Sequence, residues 1–313
     1  MYVIVTGGTG FIGRALVAEL QRSGHGVAVP SRLPEKARAV LGPGVDCVAW
    51  DGVDSAPLVR LLDNAGQESA VVNLAGEGIA NGRWTVEKKA AILNSRIRAT
   101  EAVTSATLEA TKPPAVILQG SAVGYYGYRA SEHGEMLDET KPQGEGFLAE
   151  VCLAWETVGT SVAVANVRQV VIRTGLVIGT GGVLAKFLPP FRFFMGGPLG
   201  NGEQWMPWIH LSDQVGAIRW LLENDRAEGV YNLCAPTPVS MSYFCTALGR
   251  AVHRPSWLPV PSAALRLLLG REMADETVLA SQRAVPTRLL AEGFQFRMIE
   301  LGSALSEAIN TSG

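Results

Sequence analysis

The chain opens on a glycine pattern that leaves few folds available to it. Thr6-Gly7-Gly8-Thr9-Gly10-Phe11-Ile12-Gly13 has the form GxxGxxG. It joins an apolar run, Val3 to Val5, to a helix-periodic stretch from Phe11 to Ser23 that Gly24 closes. Gly7 permits a tight turn, Gly10 lets the backbone approach a pyrophosphate without a Cβ in the way, and Gly13 lets the helix pack closely on the strand. A helix starting there offers free N–H groups and partial positive charge to phosphates. A glycine-rich turn without a ligand has the same composition, but this one lies at the strand-to-helix junction that dinucleotide binding requires. The expectation is a nicotinamide dinucleotide held at Gly7, Thr9, Gly10, Phe11, Ile12 and Gly13.

The following residues keep the same rhythm. Short apolar runs at Val27 to Val29, Val45 to Ala49, Val71 to Leu74, Ala115 to Leu118 and Val167 to Arg173 read as strands. Helical stretches from about Thr85 to Ala110 and from Gly146 to Gly159 separate some of them. Strands alternating with helices imply parallel pairing and right-handed crossovers, hence an α/β fold with a Rossmann-type doubly wound parallel sheet. After about Thr174 the rhythm changes, with loops at Gly196-Gly197-Pro198 and Gly200-Asn201-Gly202 and a short strand at Trp208 to His210. The division expected is 1–235 for the dinucleotide-binding domain and 236–313 for a smaller, mostly helical C-terminal lobe. Segments near 176–210 would contribute to the substrate side. Strands near Val177 and Val230 fit either part.

Composition narrows the function classes. A chain of 313 residues with 47% hydrophobic residues buries a sizeable core. A net charge of −2 argues against a broad nucleic-acid or anionic-membrane surface. Cys47, Cys152, Cys234 and Cys245 lie far apart without metal-ligand spacing, so they read as buried thiols in a reducing compartment. The longest apolar region, Trp257 to Leu269, is broken by Pro259, Pro261 and Arg266 and is too short for a bilayer. A soluble cytoplasmic protein with a small-molecule substrate and no metal is expected.

The end of the second strand separates the two nicotinamide cofactors. NAD proteins usually place an acidic residue there for the ribose hydroxyls. This chain has Pro30-Ser31-Arg32, in which Ser31 can donate to a 2′-phosphate and Arg32 can pair with it and stack on adenine. NADP is the expected cofactor. The competing reading makes Arg32 a surface charge and gives the ribose to Asp51. After the fourth strand, Asn73-Leu74-Ala75-Gly76 has the small residues that let a chain pass beside adenosine and ribose.

Together with Ser121-Ala122-Val123-Gly124-Tyr125-Tyr126-Gly127, these segments resemble an extended short-chain dehydrogenase/reductase of the sugar-nucleotide epimerase type. The chain is more similar still to an atypical branch, the "epimerase family" proteins. The residues carrying that likeness are Asn73 to Glu77, Arg83 to Thr85, Ser95-Arg96, Pro207 to His210, Leu258 to Pro261, Val285-Pro286 and Gly293 to Phe296. The resemblance implies a cofactor site that includes Leu74, Ala75, Gly76 and Glu77, with Arg96 approaching the cofactor or an acidic substrate; Arg173 joins these candidates because it ends the sixth strand at the ligand edge. The likeness also implies a small C-terminal domain, and it makes a homodimer compatible with the fold. Arg96 as an ordinary exposed helical arginine is the alternative reading.

The resemblance also exposes a departure. Extended members use a Tyr-xxx-Lys pair as acid/base, but Phe147 to Glu156 contains neither residue, and alignment on Glu156 puts Leu148 and Cys152 at the two positions. Tyr125 and Arg129 have the spacing but sit among glycines. The remaining catalytic candidates are Ser121, which follows the fifth strand, and Tyr125 or Tyr126. Both tyrosines read equally as packing for a glycine-rich loop. Asp213 can accept a bond or cap the helix that starts near it, the cap being the favoured reading, and His210 reads as a structural histidine rather than a base. Trp205, Trp208, Phe191 and Phe194 line a pocket or fill a core. Two functions stay open: an NADP-dependent oxidoreductase or epimerase-like enzyme, and a non-catalytic NADP-binding sensor or scaffold.

Overall fold

A computed structural model describes residues 1–65, 68–129, 131, 134–160 and 167–310. The first half runs β1 (Tyr2–Thr6), α1 (Phe11–Arg22), β2 (Gly26–Ser31), α2 (Pro34–Leu41), β3 (Val45–Ala49), α3 (Ala56–Asn64), β4 (Ser69–Asn73) and α4 (Val86–Glu109). Next come β5 (Val116–Ala122), a 3-10 turn at Val123–Tyr126, β6 (Met136–Leu137), α5 (Phe147–Thr160), β7 (Arg168–Thr174) and β8 (Leu176–Ile178). Then follow α6 (Leu184–Arg192), β9 (Trp205–Met206), β10 (Trp208–His210), α7 (Leu211–Glu223) and β11 (Gly229–Leu233). The tail holds β12 (Val239–Ser240), α8 (Met241–Ala251), α9 (Ser262–Leu269), α10 (Arg271–Glu276), β13 (Arg283–Ala284), α11 (Thr287–Ala291) and α12 (Leu301–Asn310).

Seven strands form one sheet in the order β3-β2-β1-β4-β5-β7-β11, and every pairing is parallel. Val3, Val5, Val72, Leu118 and Ile172 are fully buried, because helices cover both faces and leave central strands no polar side. The chain winds outward from β1 to β3, then crosses back to β4 and winds the other way. A crevice therefore opens at the carboxyl ends of β1 and β4, where ligands of such sheets bind. Val230 belongs to this sheet through β11, whereas Val177 lies in β8, which pairs with β10 in a separate ribbon. That separates the two strands that the sequence left together.

The tail is mostly helical but interleaved with the rest rather than laid over one end. Strand β13 pairs with β6, and β12 with β9. Leu289 and Phe294 join Val3, Val5 and Leu16 in the main core. Among the described residues no helix is long and apolar enough to cross a membrane. One local expectation is corrected. The cap of α7 is His210, whose ring accepts from the Ser212 N–H, while Asp213 turns inward and accepts from the backbone N–H groups of Arg297 and Met298 at 2.8 Å each. An imidazole nitrogen does the work expected of a carboxylate, which leaves Asp213 to tie down the tail.

Candidate functional site

The glycine turn is built by exclusion. A Cβ on Gly13 would lie 2.3 Å from the Gly7 carbonyl oxygen, and one on Gly7 would lie 2.6 Å from the Leu74 carbonyl oxygen. Gly7 also has φ of +70°, which L side chains resist. A Cβ on Gly10 would meet only the Gly7 oxygen at 3.2 Å, so open space lies beyond it. Helix α1 has no side-chain cap and no acidic residue in its first turn. Its leading N–H groups, at Phe11 and Ile12, stay free for an anion. The Phe11 ring is wrapped by the loop after β8, where Cβ atoms on Gly179, Gly181 and Gly182 would lie 2.8 to 3.1 Å from it.

At the end of β2, Arg32 is exposed and the Ser31 hydroxyl accepts from the Leu33 N–H at 3.2 Å. The Ser31 proton remains available to another acceptor. Asp51 is differently occupied. Its Oδ1 accepts from the N–H groups of Val53 and Asp54 at 2.8 and 2.9 Å, and these bonds hold its carboxyl below the usual range. It shapes its own turn.

Beyond β4, buried Asn73 fixes the segment that follows. Its Oδ1 accepts from the Thr6 hydroxyl at 2.6 Å, and its Nδ2 donates to Thr100 and Gln119 at 3.0 Å each. Leu74, Ala75 and Gly76 leave the sheet from this anchor. Glu77 is held by its N–H on the Ser95 hydroxyl at 2.9 Å and by an ion pair with Lys88 at 2.6 Å. Lys88 keeps the Glu77 carboxyl below its ordinary range. Arg96 reaches back from α4, and its Nη1 donates to the Glu77 and Ile92 carbonyls at 3.0 and 2.9 Å. It is not the exposed helical arginine of the alternative reading. A Cβ on Gly76 would lie 3.0 Å from its Cζ, so the glycine rests on the guanidinium.

The carboxyl ends of β5 and β7 carry a second cluster. Ser121 and Arg173 are register partners, both buried, under α5. The Arg173 Nε and Nη2 donate to Oε1 and Oε2 of Glu156 at 2.9 and 2.8 Å, a bidentate pair. Ser121 Oγ donates to the same Glu156 Oε1 at 2.5 Å. Burial works against the charge on Arg173, but the Glu156 pair and the Tyr126 hydroxyl outweigh it and raise its pKa. Tyr126 is committed. Its hydroxyl donates toward the Asp138 carbonyl or Asn232 Oδ1 and accepts from Arg173 at 3.2 Å, and burial pushes its pKa up to about 12. Tyr125 is half-buried, its ring lies 3.4 Å from the Arg173 Cζ, and its hydroxyl makes no hydrogen bond among the described residues.

Leu148 and Cys152 do stand where the pair was sought, behind Gly124, whose Cβ would meet them at 3.4 and 3.8 Å. Burial lifts the Cys152 thiol to about 11. The Tyr125–Arg129 spacing builds no pair, since the Arg129 guanidinium stands over Tyr128. Sequence reasoning used Glu156 only as an alignment mark and missed it as the centre of the cluster. The sign available was an acidic residue inside an otherwise apolar helix, FLAEVCLAWETVGT. Trp208 and Phe191 are core residues, Phe194 is exposed, and Trp205 stacks under Arg283, so these four do not converge. A cleft of about 440 Å³ lined by Tyr2, Arg38, Asp46, Cys47 and Leu61 opens at the start of β1 and along β3. It lies away from the carboxyl edge and holds none of the candidate residues.

Sheet order, glycine turn and crevice define a Rossmann-type, doubly wound α/β protein. Residues 3–234 match the NAD dependent epimerase/dehydratase family, and the chain belongs to that family. Residues 260–308 match a domain of unknown function, DUF1731. The chain is 42% identical to the chloroplastic epimerase family protein SDR39U1 homolog of Arabidopsis thaliana, covering 97% of this chain and 86% of that one. It is 37% identical to epimerase family protein YfhF of Bacillus subtilis, covering 99% and 98%. The crystal structure of human epimerase family protein SDR39U1 (isoform 2) with NADPH is similar at a TM-score of 0.86, with 36% identity and 99% of each chain covered.

Proposed function

We propose that the chain is an NADP(H)-dependent oxidoreductase of the extended short-chain type acting on a small polar substrate, a nucleotide sugar being one such class. The observation that carries this reading is the uncapped start of α1 behind an open Gly10, with Ser31 and Arg32 free at the end of β2. The similar human structure was obtained with NADPH. The pyrophosphate would lie on the Phe11 and Ile12 N–H groups, and the 2′-phosphate on Arg32 and Ser31. Leu74 to Glu77 would border the ribose. The dinucleotide supplies hydride chemistry when bound.

The residues that would act on a substrate are Ser121 and Tyr125. Ser121 gives its only proton to Glu156, so its remaining lone pairs suit a donor on the substrate. Tyr125 has a free hydroxyl to give or take a proton beside the Arg173 guanidinium. Tyr126 and Glu156 hold Arg173 in place. In this reading residues 1–235 form the dinucleotide-binding part, and 236–313, with segments near 176–210, form the substrate side. A second reading, a non-catalytic NADP-binding sensor, is favoured by the apolar Leu148 and Cys152 at the dyad positions.

Fluorescence titration of the cofactor-stripped protein with NADPH and NADH, beside Arg32→Asp, tests the cofactor. Tight NADPH binding that collapses in the variant supports it, while equal or absent binding of both dinucleotides sinks it. A substrate screen following NADPH oxidation then separates the two functions. Turnover that Ser121→Ala and Tyr125→Phe abolish supports the enzyme, and turnover that both variants leave unchanged removes these residues from the mechanism.

A further inference from the structure

Two cations around the crevice carry a close counter-charge. Lys88 is paired with Glu77 at 2.6 Å, and Arg173 is paired with Glu156 at 2.8 Å. Arg32 is exposed at the end of β2, where the 2′-phosphate is proposed to lie. Arg96 has no carboxylate within ion-pair distance among the described residues, and the acceptors it holds are two backbone carbonyls. It is part-buried, its Cζ lies 5.0 Å from the Trp155 ring centroid, and Gly76 packs against it. A buried guanidinium without a counter-ion is costly, and burial does pull its pKa below the ordinary value.

The Glu77 carboxylate acts on Arg96 from beyond ion-pair distance and offsets only part of that charge. In the cofactor reading the ribose borders Leu74 to Glu77, so the other half of a dinucleotide would continue from the pyrophosphate at α1 beyond that segment, toward the ends of β4 and β5. Arg96 stands behind Gly76. It is also within electrostatic reach of Cys152, the position at which the chain lacks the usual lysine. A nicotinamide ring carries a positive charge when oxidised and none when reduced, so a fixed, unpaired cation beside it disfavours the oxidised form alone.

Building on the cofactor reading above, we propose that Arg96 is a charge discriminator that makes this site hold NADPH more tightly than NADP+. One charge acting over roughly 10 Å at the effective dielectric of a protein surface corresponds to about tenfold in affinity. The ground-state preference belongs to the binding site and needs no turnover to be seen.

The experiment is titration of the full, cofactor-stripped chain with NADPH and, separately, NADP+, followed by tryptophan fluorescence, with a thermal melt of each variant. Wild type is expected to favour NADPH by about tenfold. Arg96→Gln should bring the ratio close to one, and Arg96→Lys should keep it. Glu77→Gln, which leaves Lys88 unpaired, should widen it, so the inference stays exposed even where Arg96→Gln melts early. A wild-type ratio near one, or a ratio that a folded Arg96→Gln leaves unchanged, overturns the assignment while the cofactor reading stands. Failure of folded wild type to bind either form removes the cofactor reading, and this inference with it.

Discussion

Glu156 shows how much of a site rests on one carboxylate. It accepts from Ser121 and pairs with Arg173 across α5, β5 and β7, and the Arg173 side chain is only 4% exposed. Removing one partner of such a pair strands a charge in a poorly solvated place. Glu156→Gln is therefore expected to lower unfolding stability by about 3–5 kcal/mol in urea denaturation. Adding Arg173→Met to that variant should recover part of the loss, because the stranded charge goes with it. A Glu156→Gln protein as stable as wild type would show that solvent reaches the pair. Ser121 and Arg173 were legible in the sequence because each ends an apolar strand at the ligand edge. Glu156 was not, since its partners lie 35 and 17 positions away and meet only in three dimensions. The glycine turn was legible because its tightest constraint, Gly13 against the Gly7 carbonyl, is local.

Elements were read most reliably where apolar runs are long. The strands from Val3, Val27, Val45, Val71, Ala115 and Val167 all appear in the sheet, Val45 to Ala49 with the ends read and the others with shifted ends. The pairs β6–β13 and β9–β12 were illegible, because two residues carry no periodicity. The start of α7 was misread, since a capping search looks for Ser, Thr, Asp or Asn and here the acceptor is the His210 ring. That cap has a pH signature. Burial lowers the His210 pKa from its ordinary 6.5, so the folded protein holds the ring neutral while the unfolded chain takes up a proton first. Its contribution is present above pH 6.5 and is lost as pH falls toward the lower folded value. His210→Asn, with a cap that does not titrate, should lose less stability than wild type on going from about pH 7.5 to about pH 5, either side of the ordinary histidine range, as read by urea midpoints. Parallel midpoints for the two proteins would remove the histidine cap from the account. At α1, Gly13→Ala forces a methyl to within 2.3 Å of the Gly7 carbonyl, overpacking that costs about 1–3 kcal/mol. NADPH affinity should fall with it, as titration would report, since the same carbonyl defines the turn.

For the whole molecule the question is whether the two family segments fold as one body. Their matches stop at 234 and begin again at 260, which invites a picture of two beads. The contacts oppose it. Leu289 and Phe294 of the tail join the main core, where Phe294 packs edge-on against Trp220 of α7, and Arg288 donates to the carbonyls of Glu228 and Val230 at the sheet's outer strand. Glu276 of α10 accepts from the Phe147 and Leu148 N–H groups, so the tail caps the helix that carries Glu156. Asp213 binds the tail's backbone in return. Neither part keeps its core or its helix ends satisfied without the other, so the energetic unit is the chain and not the segment. Urea unfolding followed by far-UV circular dichroism and by tryptophan fluorescence should give coincident single transitions. Glu276→Ala should move both midpoints down together, because an unsatisfied α5 terminus weakens the shared structure. Two resolved transitions, with Glu276→Ala shifting only one, would show that the tail folds on its own and merely rests against the sheet.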